Sequence, residues 1–288
     1  MFSLLFRRHI FLGYGLCTLF AVFATGCQTV QTTQAGAVGI DRPQRVSSLV
    51  DRNDLTRQAS LQYTETLKNA DKKASLNTDP VMTERVRAIA ARLIEQTPVF
   101  RPDAQQWNWE VNVIQADDLN AWCMPGGKIA VYSGLIDRLK LSDDEVAAVT
   151  GHEIAHALRE HSWEKASEMA VANVGLGVLG AVVGKGYSDL GGLLYSVTFQ
   201  LPHSREMETE ADRIGVELAA RAAFDPRAAI SLWQKMMQME KGSTPAFLST
   251  HPSSENRQSD LAHYAEIVMP LYEKAVAGRT TVKPPSGK

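Results

Sequence analysis

Two histidines four residues apart, with a glutamate directly after the first, stand in Gly151-His152-Glu153-Ile154-Ala155-His156. At about 100° and 1.5 Å per residue, a helix returns positions four apart to nearly the same face. His152 and His156 can therefore offer two imidazole nitrogens to one tetrahedral zinc ion. Glu153 then sits beside the metal, where its carboxylate can take a proton from an attacking water, the hydrolytic chemistry of an H-E-x-x-H pattern on a helix. Histidines at this spacing also occur as partners on a solvated helix face, but the context favours the metal. Ser142 followed by Glu145 makes a capping box just ahead of Val146-Ala147-Ala148-Val149, so a helix starting there carries both histidines on its third and fourth turns.

Such a site needs a third protein ligand. A continuation x-x-G-x-x-H is excluded, because Arg159 and Ser162 stand at its glycine and histidine positions. His161, nine residues beyond His152, falls about 180° around a continuous helix and is expected to be solvated or locally bonded. Downstream, Glu208 followed four residues later by Asp212 fits a site of two histidines and a glutamate. Glu208 is the candidate ligand, and Asp212, on the same helix face, is placed to accept a hydrogen bond from the far nitrogen of His152 and fix its tautomer. Glu206 and Glu210 lie about 160° from Glu208 on such a helix and are expected to be solvated.

The elements that must position these residues begin after a leader. Arg7-Arg8-His9 precedes a 15-residue apolar run, Ile10 to Ala24, which ends in Ala24-Thr25-Gly26-Cys27. The run is short of the roughly 20 residues of a membrane span, and the small residues suit signal cleavage. The end of the run also resembles a bacterial lipobox, which implies lipid attachment at Cys27. With Cys17 in the leader, only Cys123 remains, so no intramolecular disulfide is possible, and Cys123 reads as a small buried hydrophobe. The net charge of −2 becomes −4 once Arg7 and Arg8 are removed, and no basic stripe marks a nucleic-acid partner.

The expected layout is a signal peptide at 1–26, a lipidated N-terminus and flexible tether at 27–45, one domain at 46–275 and a disordered tail at 276–288. The tether is inferred from a Gln-, Thr-, Gly- and Ala-rich stretch with almost nothing large and apolar to bury. Leu49, Leu55, Ala59, Tyr63 and Leu67 recur at helical spacing, and Asp79-Pro80 opens a second helix carrying Val86, Ile89 and Leu93. Strand-like alternation follows from Trp107 to Ile114, and Asn120–Met124 and Lys128–Tyr132 flank the turn Pro125-Gly126-Gly127. The fold class expected is α+β, mainly helical, with a small antiparallel sheet beside the helix of the histidines. Asn120–Met124 is the candidate edge for an extended peptide. Met169 to Gly184, small and apolar but too short to span a membrane, is expected to pack inside the domain.

From about residue 46 to 275 the chain resembles the HtpX, BepA and LoiP group of zinc metallopeptidases, metallopeptidase family forty-eight. The resemblance rests on Asn120-Ala121 with Pro125-Gly126-Gly127, Gly151 to His156, Ser204-Arg205 with Glu208 and Ala211-Asp212, and His251-Pro252 with Arg257. It implies a gluzincin-type fold, one zinc per chain, and endopeptidase activity on misfolded or unassembled proteins of the bacterial envelope. It also places His251 near the zinc, either as an oxyanion donor or as a ligand that blocks the open position, with Arg257 either a second source of positive charge or a salt-bridge partner within the C-terminal helix. The expected location is the periplasm, lipid-anchored at the outer membrane, with protein or peptide substrates and the envelope assembly machinery as partners. The alternative is an assembly factor or chaperone whose zinc is mainly structural. The membrane spans of some relatives and the helical repeats of others have no visible counterpart here.

Overall fold

The computed structural model describes residues 27–179, 190–239, 245–252 and 256–281. At its centre is the helix that carries the H-E-x-x-H residues, Asp143–Leu158. Both halves of the capping box form: the Ser142 hydroxyl accepts from the Glu145 amide at 3.2 Å, and the Ser142 amide donates to Glu145 Oε2 at 2.9 Å. Every residue from Glu145 to Leu158 is buried, so this is a core helix rather than an amphipathic surface one.

The elements before this helix include, in chain order, α1 (Arg52–Lys72), α2 (Pro80–Ile94), β3 (Glu110–Ile114), β4 (Ala121–Met124) and β5 (Lys128–Tyr132). A hairpin of β1 (Cys27–Val30) and β2 (Gln44–Ser47) precedes them, and a short α3 (Ser133–Leu139) leads into the central helix, α4. Beyond it come α5 (His161–Leu179), α6 (Leu190–Tyr195) with a π turn at Ser196–Gln200, α7 (Arg205–Arg221), α8 (Ala228–Met239), α9 (Ala246–Thr250) and α10 (Arg257–Thr281). Asp51 and Asp79 cap α1 and α2, and Pro80 supplies the first residue of α2, as its missing amide allows.

The three-stranded sheet has the order β3-β5-β4, with β4 antiparallel and β3 parallel to β5. It is mixed rather than wholly antiparallel because the β4–β5 hairpin returns β5 between β3 and β4. Gly126 and Gly127 make its turn at φ 81° and 83°, and a Cβ on Gly127 would lie 2.6 Å from the Trp109 ring. β4 is an edge strand, as expected, yet all four of its residues are buried, and Trp122 packs edge-on against Tyr63 and Phe199.

Residues 28–45 are folded, not a tether. Besides the β1–β2 pairing, Val38, Ile40 and Val46 are buried, and polar bonds carry the rest. The Val38 amide donates to Glu217 Oε2 at 3.0 Å, Arg42 makes paired bonds to both Glu164 and Glu210, and the fully buried Arg159 donates to Thr33 Oγ1 and to the Arg42 carbonyl. Small apolar residues and a forked guanidinium therefore replace the large hydrophobes whose absence suggested disorder. At the other end, Val276 to Thr281 continue α10 instead of starting a disordered tail. The leader at 1–26 and the remainder of the tail lie outside the described residues. Of the Met169 to Gly184 stretch, the part to Leu179 is in α5 and the rest lies outside them too.

Helices α4 and α7 approach each other closely in the core. A Cβ added to Gly215 would meet the backbone of His152 at 2.8 Å and that of Gly151 at 3.0 Å, and one on Gly151 would meet the Gly215 carbonyl at 3.0 Å. Gly215→Ala should therefore separate the helices, lower stability by about 1–3 kcal/mol, and weaken metal retention by withdrawing Glu208. Thermal unfolding with metal analysis checks this; wild-type values for both would show that the contact is not limiting.

Candidate metal centre

Helix α4 presents His152 and His156 one turn apart, and α7, held against it by the glycine contact, brings Glu208 in its first turn to face them. Ser204 caps α7, its hydroxyl accepting from the Met207 amide at 3.2 Å. A fourth group arrives from the end of α9, where the His251 amide donates to the Phe247 carbonyl at 2.9 Å and its ring stacks on Phe247 at 4.3 Å between centroids. One ligand atom from each of His152, His156, Glu208 and His251 lies within 4.8 Å of every other, and all four residues are buried. His156 Nε2 is 3.1 Å from His152 Nε2, His251 Nδ1 is 3.3 Å from His152 Nε2, and His251 Nδ1 is 2.9 Å from Glu208 Oε1.

These residues fit a zinc ion. Three imidazole nitrogens and a carboxylate oxygen converge on one buried point, the donor chemistry and number of a tetrahedral zinc site. The outer contacts fit as well. His152 Nδ1 lies 3.0 Å from Asp212 Oδ1, which leaves Nε2 free to bind metal. Arg257 reaches Glu208 Oε2 at 2.9 Å and Asp212 Oδ1 at 2.7 Å, with its guanidinium 3.3 Å over the Trp233 ring. Arg257 therefore stands behind the ligand carboxylate and holds both acids in place, rather than facing the cleft as a charge for the reacting group.

Glu153 shares α4 with the two histidines and is buried, its Oε1 3.4 Å from His251 Nε2 and without a hydrogen bond. Burial raises its carboxyl above its ordinary value. It lines a cavity of about 90 Å³ with His156, His203, His251 and Asn120 to Cys123 of the sheet edge. Cys123 is buried and unbridged, as expected of a small core residue.

His161, expected to be solvated or locally bonded on the far side from the metal, and Glu210, expected to be solvated, are both buried beside this centre. His161 is fully buried, its Nδ1 2.8 Å from His156 Nδ1 and its Nε2 3.1 Å from Glu210 Oε2. The helical extrapolation from His152 fails because α4 ends at Leu158 and Glu160 takes a left-handed conformation at φ 53°, so a new helix turns His161 back toward the metal ligands. Glu210 points away from the ligand cluster, as its angle from Glu208 requires. It is buried there by Arg42 and Arg159. Glu206 is exposed as expected. His203, in the residue before the Ser204 cap, is the buried neighbour that sequence reasoning did not find; its place beside the cap of the Glu208 helix was the available signal.

Glu210 makes the support of His156 sensitive to acid. Burial opposes its charge, but hydrogen bonds from His161 and Arg42 outweigh burial and hold the carboxyl at about 2. A carboxyl depressed in the folded state contributes stability above its unfolded pKa, about 4.3, that is lost as pH falls toward 2. Glu210→Gln should lower stability at pH 7 by about 3–5 kcal/mol, flatten the loss between pH 4.5 and 2, and leave a zinc ion bound. Unfolding measured across that range checks the sign; an unchanged acid limb would exclude Glu210 as its source.

Comparison with known proteins agrees with the motif and the geometry. The model of Peptidase family M48 matches residues 80–265, which include all four clustered ligands and Glu153. The chain is 38% identical over 179 residues to the mitochondrial metalloendopeptidase OMA1 of Arabidopsis thaliana, covering 61% of this chain and 36% of that protein. It is 42% identical over 155 residues to the OMA1 of Schizosaccharomyces pombe, covering 52% and 44%. With the beta-barrel assembly-enhancing protease of Escherichia coli O157:H7 it shares 28% identity over 210 residues, 69% and 42% of the two chains. The chain thus spans less than half the length of these three relatives. From the clustered ligands and a family match over most of its length, the chain belongs to peptidase family M48.

Proposed function

We propose that this chain is a zinc-dependent endopeptidase of the bacterial cell envelope that cleaves misfolded or unassembled envelope proteins. The observation that carries the reading is Glu153, a buried carboxylate with a free oxygen beside four converging metal donors and on the wall of a cavity bounded by an edge strand. His152, His156 and Glu208 would hold the zinc, with Asp212, Arg257 and His161 fixing their orientation. When bound, the ion supplies Lewis-acid polarisation and lowers the pKa of water. Glu153 takes the proton from the attacking water and returns it to the departing amine as the peptide C–N bond breaks. The β4 edge at Asn120–Met124 offers backbone groups to an extended substrate.

His251 accounts for the resting state. Its Nδ1 belongs to the ligand cluster, so it supports a blocking ligand rather than an oxyanion donor. A histidine on a short helix end can withdraw more readily than two on a core helix, and its withdrawal opens the fourth position. Four protein ligands are also the pattern of a structural zinc, which favours the alternative reading of an assembly factor or chaperone. Glu153 argues against it, since a structural site gains nothing from a buried carboxylate that ligates no metal.

The envelope location rests on the leader and on Cys27 as a lipid site. Among the described residues no helix is long and apolar enough to cross a membrane. One relative is named for β-barrel assembly and others for mitochondria, so the relatives support a protease and leave the compartment to the leader. Cys27→Ser should release the protein from the outer-membrane fraction, and a variant that still sediments with it would exclude lipid at Cys27.

Cleavage of unfolded casein by the purified soluble domain tests the activity. Glu153→Gln should abolish cleavage with zinc retained, and Glu208→Ala should lose the zinc. His251→Ala should keep the zinc and raise turnover. Equal cleavage by wild type and Glu153→Gln would overturn the enzyme reading. A fall in His251→Ala turnover by ~10² would instead make His251 a donor to the reacting carbonyl.

A further inference from the structure

Acyl transfer at this centre leaves one role unfilled. As a carbonyl is attacked, its oxygen gains charge, and hydrogen-bond donors aimed at that oxygen contribute a large part of the acceleration. Neither cationic candidate from the sequence is free for it. Arg257 is committed to Glu208 and Asp212 behind the metal, and His251 to the ligand cluster.

Among the described residues five buried histidines surround the centre, and four have at least one ring nitrogen in a hydrogen bond or ion pair. His152 contacts its fellow ligands and Asp212, His156 contacts His152 and His161, His161 contacts His156 and Glu210, and His251 contacts Glu208 and Glu153. His203 differs. Among the described residues its ring makes no hydrogen bond, its Nδ1 is buried without a partner, and only 9% of the residue is exposed. Leaving a buried polar group unpaired is costly, so core histidines normally find partners and an exception needs a reason.

The position of His203 supplies one. Its ring lies 4.2 Å from that of His156 and 5.1 Å from that of His251, inclined by 32° and 33°, yet no nitrogen of His203 joins the four clustered ligand atoms. Instead its ring forms the cavity wall together with Glu153 and the β4 edge. The backbone around it is fixed. The His203 amide donates to the Thr250 carbonyl at 2.9 Å, Ser204 caps α7, and the Lys165 ammonium holds the Leu201 carbonyl at 2.5 Å. A donor that needs no reorganisation as charge develops is what stabilises an oxyanion most effectively.

We propose that His203 is a catalytic residue whose imidazole N–H donates a hydrogen bond to the scissile carbonyl oxygen as it becomes an oxyanion. His203 keeps its own proton throughout: water oxygen bonds to the carbonyl carbon, Glu153 receives the water's proton, and the C=O electron pair moves onto the oxygen that His203 meets. The hydrogen bond then weakens as the C–N bond breaks and the carbonyl re-forms.

The test uses a fluorogenic peptide built on a mapped casein cleavage site, and its phosphinic analogue, in which a tetrahedral phosphinate replaces the scissile amide. His203→Leu should lower kcat by ~10² with KM little changed, keep one zinc per chain, and weaken the phosphinic analogue by a similar factor. In a Glu153→Gln background it should leave binding of the uncleaved peptide unaltered. His203→Asn, whose amide nitrogen can take the place of Nδ1, should recover part of both losses. Wild-type kcat in His203→Leu, loss of zinc, or an equal loss of affinity for peptide and analogue would each overturn the role. The proposal rests on the peptidase reading, and the two fail differently. A wild type that neither cleaves the peptide nor binds the analogue removes that reading, whereas a wild type that does both beside an indistinguishable His203→Leu removes His203 alone.

Discussion

The approach of α4 to α7 at Gly151 and Gly215 is the constraint on which the rest of the centre depends. Histidines one turn apart on a single helix can supply two donors, but the third must cross from another element with a short side chain. Glu208 can do so because two glycines let the helix backbones come into contact. That geometry sets the outer contacts too. Asp212, one turn beyond Glu208, falls against His152, and Glu210, on the opposite face of α7, is carried to the end of α4 where Arg159 and His161 meet it.

The consequence is a candidate metal centre buried between two polar layers. On one side Arg257, from the start of α10, ties Glu208 to Asp212. On the other, Arg42 from the N-terminal segment ties Glu164 to Glu210, and through His161 that layer reaches His156. Both layers depend on arginine forks, which suit paired carboxylates better than lysine does. The N-terminal segment is therefore part of the support of the site, so a chain truncated at residue 46 would lose Arg42 and expose Arg159 and Glu210.

What could be read from the sequence was whatever depended on local spacing. The capping box at Ser142 and Glu145, the cap at Asp79-Pro80, the Gly126-Gly127 turn and the pairing of Glu208 with Asp212 each involve a few residues and fixed helical or turn geometry. The features missed depend on a change of direction or on polar contacts distant in sequence. His161 was misplaced because one left-handed residue, Glu160, breaks the helical extrapolation. Residues 28–45 looked structureless because composition counts apolar side chains, whereas this segment is fastened largely by bonds to Glu164, Glu210 and Glu217, more than 100 residues away. His203 lacks any motif of its own beyond its place before the Ser204 cap, and it is the cavity it lines that singles it out.

The central claim is that one zinc ion is held in the resting protein by His152, His156, Glu208 and His251. X-ray absorption at the zinc edge of the purified full chain tests it most directly, because imidazole rings scatter distinctively. The account predicts one zinc per chain with three imidazoles and an oxygen donor in a tetrahedral shell. A shell with only two imidazoles, or a sulfur ligand, would contradict it.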